Sequence, residues 1–97
     1  MDKKIIDFIK SYNITDLEIE DMKSISVLLD VTTFEEFMTN ALLLIEYGYP
    51  KSDLDVLLLN NPYIFTESAS VLKSDLESLK SKYGDIEKIL KEDPTII

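Results

Sequence analysis

Apolar residues recur at helical spacing in the second half of the chain. Between residues 68 and 83 they stand 4, 3 and 4 residues apart, at Leu72, Leu76, Leu79 and Tyr83. This spacing places them in one stripe on an α-helix. Gly84 follows at the position where a helix end favours a residue that tolerates positive φ. Asp85 can then cap a further helix with an apolar face formed by Ile86, Ile89 and Leu90.

Residues 34–65 have the same plan with a wider stripe. Thr32 or Thr33 can cap a first helix, with Glu35 or Glu36 completing a capping box. We expect this helix to be the most buried one, because its apolar side is built from Phe34, Phe37, Met38, Ala41, Leu42, Leu43, Leu44 and Ile45. Its end is predicted at Gly48 and Pro50.

A second helix of this unit is predicted to begin at Ser52 or Asp53. Leu54, Leu57 and Leu58 form its inner side. It ends before Pro62, because a proline ring disfavours helical geometry in the preceding residue.

The two units align as repeats. "NNPYIF" at residues 60–65 matches "EDPTII" at residues 92–97 at an offset of 32, and the first helices match at an offset of 34. A weaker copy precedes them, with a helix start capped at Thr15. The sequence therefore predicts one all-α domain over residues 1–97 with about six helices. It would be a short helical-repeat solenoid with a degenerate repeat at 1–33 and clear repeats at 34–65 and 66–97.

The stretches "YGYPKSDLDVLLLNNPYIF" and "KYGDIEKILKEDPTII" resemble repeats of the mitochondrial transcription termination factor (mTERF) family. The resemblance covers residues 34–97. It implies three helices per repeat, the third a short 3₁₀ turn beginning at Pro62 and at Pro94. It also implies a curved solenoid that binds nucleic acid through a basic groove.

Composition argues against catalysis. The 97 residues include no Cys and no His, so thiolate ligands, imidazole ligands and the commonest general base are missing. No Ser/His/Asp set and no glycine-rich phosphate loop can be assembled. We therefore predict a non-enzyme without metal or cofactor. The polar N-terminus and the longest apolar run, Ala41 to Ile45, lead us to expect a cytoplasmic protein without a membrane span.

Charge suggests a kind of partner. The net charge is −9, and residues 16–67 alone carry eleven acids against Lys23 and Lys51, which is also −9. Such a field repels phosphate backbones and suits a basic protein, although it also simply favours solubility. We predict an interaction module that binds a protein through this acidic face. An open apolar layer at Ile96 and Ile97 is a second candidate surface, which would also permit homo-oligomers.

Two further functions stay open at this point. One is nucleic-acid binding, as the family resemblance implies, although the net charge disfavours it. The other is an acidic mimic that blocks a nucleic-acid-binding protein.

The candidate site residues form three sets. The densest acids are Glu18, Glu20, Asp21, Asp53 and Asp55; their other interpretation is helix-terminal charge or a solvated face. A tyrosine set comprises Tyr47, Tyr49 and Tyr63, which could form an interface, stack on bases or pack in the core. The nucleic-acid alternative rests on Lys73, Lys80, Lys82, Lys88 and Lys91, which could equally form a salt-bridged solvent face.

Overall fold

The computed structural model describes residues 1–97, and the fold is all-α, as predicted. The six α-helices, α1 to α6, span Lys3–Lys10, Asp16–Ile25, Phe34–Glu46, Leu54–Asn60, Ala69–Tyr83 and Ile86–Glu92. Three short 3₁₀ helices lie between them, at Val27–Asp30, Lys51–Asp53 and Pro62–Phe65. There is no strand. No helix combines the length and the apolar character that crossing a bilayer requires.

Side-chain caps fix where most helices begin. The side chains of Thr15 and Thr33 each accept a hydrogen bond from the backbone N–H three residues on. The glutamate at that position accepts one from the backbone N–H of the threonine. Both capping boxes were predicted, Thr33 being chosen over Thr32. Asp85 caps α6 as expected. Asp53 instead leaves the start of α4 without a side-chain cap, because its carboxylate pairs elsewhere.

Glycine ends the longest helix. Gly84 follows α5 with a φ of 81°, in a region that side chains with a Cβ rarely adopt. This confirms the predicted helix end.

The 3₁₀ turns differ in part from the expectation. Residues Pro62–Phe65 form the expected 3₁₀ helix. Pro94 and Thr95 form a single turn, closed by the Ile96 amide donating to Asp93 O at 3.2 Å, and not a full 3₁₀ helix. The first unit does contain one, at Val27–Asp30, although no proline precedes it. Ser26 has extended geometry there (φ −126°, ψ 96°), which ends α2 without a proline.

One hydrogen-bond pattern nevertheless recurs in all three units. The amide of Leu29 donates to Ser26 O at 3.1 Å, and Ile64 and Ile96 donate to Asn61 O and Asp93 O at 3.2 Å. Ser26, Asn61 and Asp93 all have extended backbones directly after a helix. This recurrence supports the helical-repeat interpretation, which stays a prediction.

The core is one cluster of 20 buried apolar side chains. Phe37 lies at its centre, stacked on Phe65 with ring centroids 5.0 Å apart and meeting Phe8 edge-on at 5.7 Å. These contacts join α1, α3 and the third 3₁₀ helix. Their aromatic packing therefore holds the first two units together.

Burial departs from the predicted stripe in α3. Leu42 was placed on the apolar side, yet it is 58% exposed. Asn40 is buried instead, next to Ala41. Val71 and Tyr83 of α5 are also exposed. The wide apolar pattern of α3 thus overstated how many of its faces meet the core.

The predicted apolar layer at the last residues is partly covered. Ile96 and Ile97 are half-buried and pack against the core cluster, beside Leu79. Asn61 Nδ2 also donates to Pro94 O at 3.0 Å, which fixes this segment on the preceding unit.

Candidate functional site

The five candidate acids do not form one face. Glu18 is used in the capping box of α2, where its Oε1 accepts from Thr15 N at 2.9 Å. Glu20 pairs with Lys23 at 3.5 Å. Asp21 is exposed on the same helix and makes no ion pair. The remaining two acids lie on a different part of the fold.

Asp53 lies just before α4 and binds Lys91 Nζ at 2.6 Å. Glu87 binds the same ammonium at 2.8 Å, in an (i, i+4) arrangement on α6. These hydrogen bonds, first that of Asp53, raise the pKa of Lys91. Asp55 is half-buried nearby. No group of three or more Asp or Glu residues is arranged to hold a metal ion.

The three tyrosines do not share a surface. Tyr49 is buried, its hydroxyl donates to Asp53 O at 2.9 Å, and burial raises its pKa to about 12. The Tyr47 hydroxyl donates to Glu77 Oε1 at 2.9 Å, joining α3 to α5. Only Tyr63, on the third 3₁₀ helix, is exposed. Packing therefore accounts for Tyr49, and the set does not form a stacking platform.

The lysine set is divided as well. Lys91 is compensated by two carboxylates. Lys73, Lys80, Lys82 and Lys88 are exposed and make no ion pair, and Lys82 lies 5.2 Å from the Tyr83 ring centroid. Four free lysines thus remain on α5 and α6.

An exposed apolar surface was missed by the sequence interpretation. Within seven residues, Ile25, Val27, Leu28 and Val31 are 56%, 74%, 44% and 73% exposed. We call these four residues the 25–31 surface. Only Leu29 turns inward from this segment among the apolar residues. A segment with five apolar residues out of seven predicts burial, and its pattern gave no signal of which apolar side chains face solvent.

The 25–31 surface lies in an acidic stretch of the sequence. Residues 16–31 contain five acids and one lysine, a net charge of −4. That lysine, Lys23, lies 3.5 Å from Glu20 and 3.4 Å from Asp30. The field of Asp30, and then that of Glu20, raises the pKa of Lys23. The single base of this region is therefore already paired.

A polar pocket lies between α3 and the start of α5. Glu35, Glu36, Thr39 and Asn40 line it from α3, and Glu67 and Ser68 from the other side, around a volume of about 380 Å³. We call it the Asn40 pocket. Its wall holds three carboxylates and no basic residue. None of these carboxylates takes part in an ion pair.

Asn40 and Glu67 are the unusual groups of this pocket. Asn40 is 1% exposed, and its Nδ2 donates to Ile64 O at 3.0 Å and to Glu67 O at 2.7 Å. Asn40 Oδ1 and Glu67 Oε1 are buried without a hydrogen-bond partner. Burial, and then the charge of Asp75, raises the pKa of Glu67 to about 6. The sequence signal that could have indicated this pocket is an asparagine, Asn40, on the core-facing side of an otherwise apolar helix.

A scan against protein-family models and searches of the curated proteins and of the solved structures found no match for this chain. The resemblance to the mTERF family therefore stays a prediction.

Proposed function

We propose that the chain is a non-enzymatic helical-repeat module that binds a basic, amphipathic segment of another protein. The binding surface lies within the acidic part of the chain, residues 16–67, and is centred on the 25–31 surface. The observation that carries the proposal is the exposure of four apolar side chains within seven residues, in a stretch, residues 16–31, that carries five acids and one lysine. Lys10 and the N-terminal amino group pair with Asp16 and Asp30 and offset part of this charge.

The apolar part supplies affinity. Single exposed apolar residues are ordinary on soluble proteins, whereas neighbouring ones mark interaction sites more often. Val27 and Val31 are each nearly three-quarters exposed, so covering them removes apolar area from water.

The charge selects the partner. A second copy would bring two segments of net charge −4 together, which electrostatic repulsion opposes. A segment with Leu or Ile on one face and Lys or Arg on the other fits both properties. Helices of this kind dock by placing their apolar face on an apolar surface.

A non-catalytic role has its own support. The chain contains no His or Cys. Asp53 and Glu18, two of the candidate acids, are taken up by an ion pair and a helix cap. These groups act in structure and are not free for proton transfer.

The experiment uses a designed 18-residue amphipathic peptide with lysines on its polar face, and a version with glutamates in their place. Isothermal titration calorimetry measures both against the wild-type chain and against the double variant Leu28→Ser, Val31→Ser. Leu42→Ser is the matched control, because Leu42 is a similarly exposed leucine on α3.

We expect the lysine peptide to bind, and the double variant to weaken it about tenfold or more. Leu42→Ser should leave the affinity unchanged. Raising the salt concentration should weaken binding, since exposed charges are screened. Equal binding of the glutamate peptide, or an unchanged Kd in the double variant, contradicts the proposal.

Nucleic-acid binding is the second candidate, favoured by the four unpaired lysines of α5 and α6. Fluorescence anisotropy with short single- and double-stranded DNA and RNA tests it at low and physiological salt. The double variant Lys73→Glu, Lys80→Glu should abolish such binding. Absence of binding at low salt, where attraction to phosphates is strongest, eliminates this candidate.

The third hypothesis, an acidic nucleic-acid mimic, has less support. Its carboxylates would need to form a continuous ridge of free charges, whereas Glu18, Glu20 and Asp53 are taken up by a helix cap and by ion pairs.

A further inference from the structure

We propose that the Asn40 pocket binds a guanidinium group, supplied by an arginine side chain of the basic partner. This inference rests on the proposed function and names the contact that anchors the partner. The pocket combines three carboxylates and a buried amide oxygen without a partner, and its wall contains no basic residue.

The orientation of the Asn40 amide is fixed by its surroundings. Both N–H groups of Nδ2 are used, one on Ile64 O and one on Glu67 O. Rotating the amide by half a turn would place its oxygen against two carbonyl oxygens. Oδ1 must therefore be the atom that lacks a donor, and an acceptor buried in this way calls for one.

Glu67 also has an acceptor atom that lacks a donor. Its Oε1 is also buried and without a partner, and the nearest charge that affects it, Asp75, is negative. Two acceptors without donors, in a pocket that also holds Glu35 and Glu36, are best matched by a cationic group with several donors. Guanidinium carries five N–H donors and no acceptor, and it binds planar oxygen pairs through two parallel hydrogen bonds.

The net charge of the pocket agrees with a cation. The N-terminal ends of α3 and α5 both lie here, and each contributes about half a positive charge. Three carboxylates outweigh that contribution. Glu36 is held by the backbone and side chain of Thr33, which lower its pKa, so it keeps its charge.

Access depends on Glu67. Asn40 Oδ1 and Glu67 Oε1 are shielded from solvent, but Glu67 as a whole is only half-buried. The proposed binding therefore requires the Glu67 side chain to rotate, so that the arginine can reach Asn40 Oδ1. The guanidinium of the arginine then donates hydrogen bonds to Asn40 Oδ1 and Glu67 Oε1.

The pocket lies close to the 25–31 surface. Thr66, which precedes Glu67, has its hydroxyl 3.0 Å from that of Ser26. Ser26 lies between Ile25 and Val27 of the surface. Glu35 follows the same surface by four residues. A basic segment on the 25–31 surface can therefore direct one side chain into the pocket.

The test is an NMR titration of ¹⁵N-labelled wild-type chain with Nα-acetyl-arginine amide at pH 7. Nα-acetyl-citrulline amide, which has nearly the same shape without charge, is the control ligand. The signals to follow are the Asn40 side-chain amide and the backbone amides of Glu67 and Ser68. Glu67→Gln removes the charge, and Glu46→Gln is the matched control, because Glu46 is an exposed glutamate at the other end of α3.

We expect the arginine compound to shift these three signals in a saturable way, and citrulline to leave them in place. Glu67→Gln should weaken the arginine affinity about tenfold, while Glu46→Gln leaves it unchanged. Equal shifts with citrulline, an unmoved Asn40 signal, or wild-type affinity in Glu67→Gln overturns the inference.

The two proposals fail in different ways. If the lysine peptide, remade with arginines, binds at the 25–31 surface without moving the Asn40 signal, the pocket inference is wrong and the proposed function stands. If the arginine compound moves Asn40 but no basic peptide binds, the proposed function is wrong and the pocket stands. The variant Leu28→Ser, Val31→Ser should leave binding of the arginine compound unchanged.

Discussion

Asn40→Ala removes the polar group that ties α3 to the chain before α5. Asn40 Nδ2 donates at 3.0 Å to Ile64 O, which is fully buried, and at 2.7 Å to Glu67 O. The variant leaves two carbonyl groups without this donor. Each costs about 1–2 kcal/mol when it stays shielded from water, or about 2–4 kcal/mol for both.

Other effects of the substitution partly cancel. Alanine gains about 0.5 kcal/mol in helix propensity. Removing Oδ1, which lacks a hydrogen-bond partner, stabilises the fold by about 1 kcal/mol. The lost packing of the truncated side chain destabilises it by about the same amount. We therefore expect a loss of about 2–3 kcal/mol from a total stability on the order of 5–15 kcal/mol. For a domain of this size that lowers Tm by about 10–20 °C.

Urea denaturation followed by far-UV circular dichroism at pH 7 measures this loss. Asn60→Ala is the matched control: Asn60 Nδ2 also donates to a carbonyl, Val56 O at 2.7 Å, but Asn60 is exposed and the bond stays within one helix. We expect the control to change stability by less than about 0.5 kcal/mol, since water replaces the donor. If both variants lose the same stability, the reasoning about Asn40 is wrong.

Three further perturbations test the fold. Burial raises the pKa of Glu67 from 4.5 to about 6, so the folded chain holds this proton more tightly and stability falls as pH rises through that interval. Glu67→Gln should therefore be more stable than wild type at pH 7 by about 1 kcal/mol, after allowance for solvent screening, with the gain shrinking by pH 4 in urea titrations. Thr33→Ala removes the α3 cap and should lower the free energy of unfolding by about 1 kcal/mol in the same assay. Thr33→Ser should restore the stability and Thr33→Val should not, because the hydroxyl makes the cap. In Gly84→Ala the added Cβ has no atom within 4 Å, so the expected loss of about 1–2 kcal/mol in stability comes from backbone strain at φ 81°. An unchanged Tm would contradict this.

The polar network around Lys91 shows how far a sequence pattern reaches. The pair with Glu87 was predictable because four residues on a helix place two side chains side by side. The pair with Asp53 was not, because the two residues are 38 positions apart. Asp53 makes no side-chain cap at the start of α4, because its carboxylate binds Lys91 in the last unit.

The sequence by itself determined the helices, the capping boxes of Thr15 and Thr33, and the helix end at Gly84. These features depend on hydrogen bonds and backbone geometry within a few residues. Only the tertiary structure decided that Leu42 faces solvent while Asn40 is buried, and that residues 25–31 present an apolar surface. Burial depends on which segments meet, and Asn40 meets carbonyls 24 and 27 residues away. The candidate surface and pocket arise from those distant contacts, which no local pattern encodes.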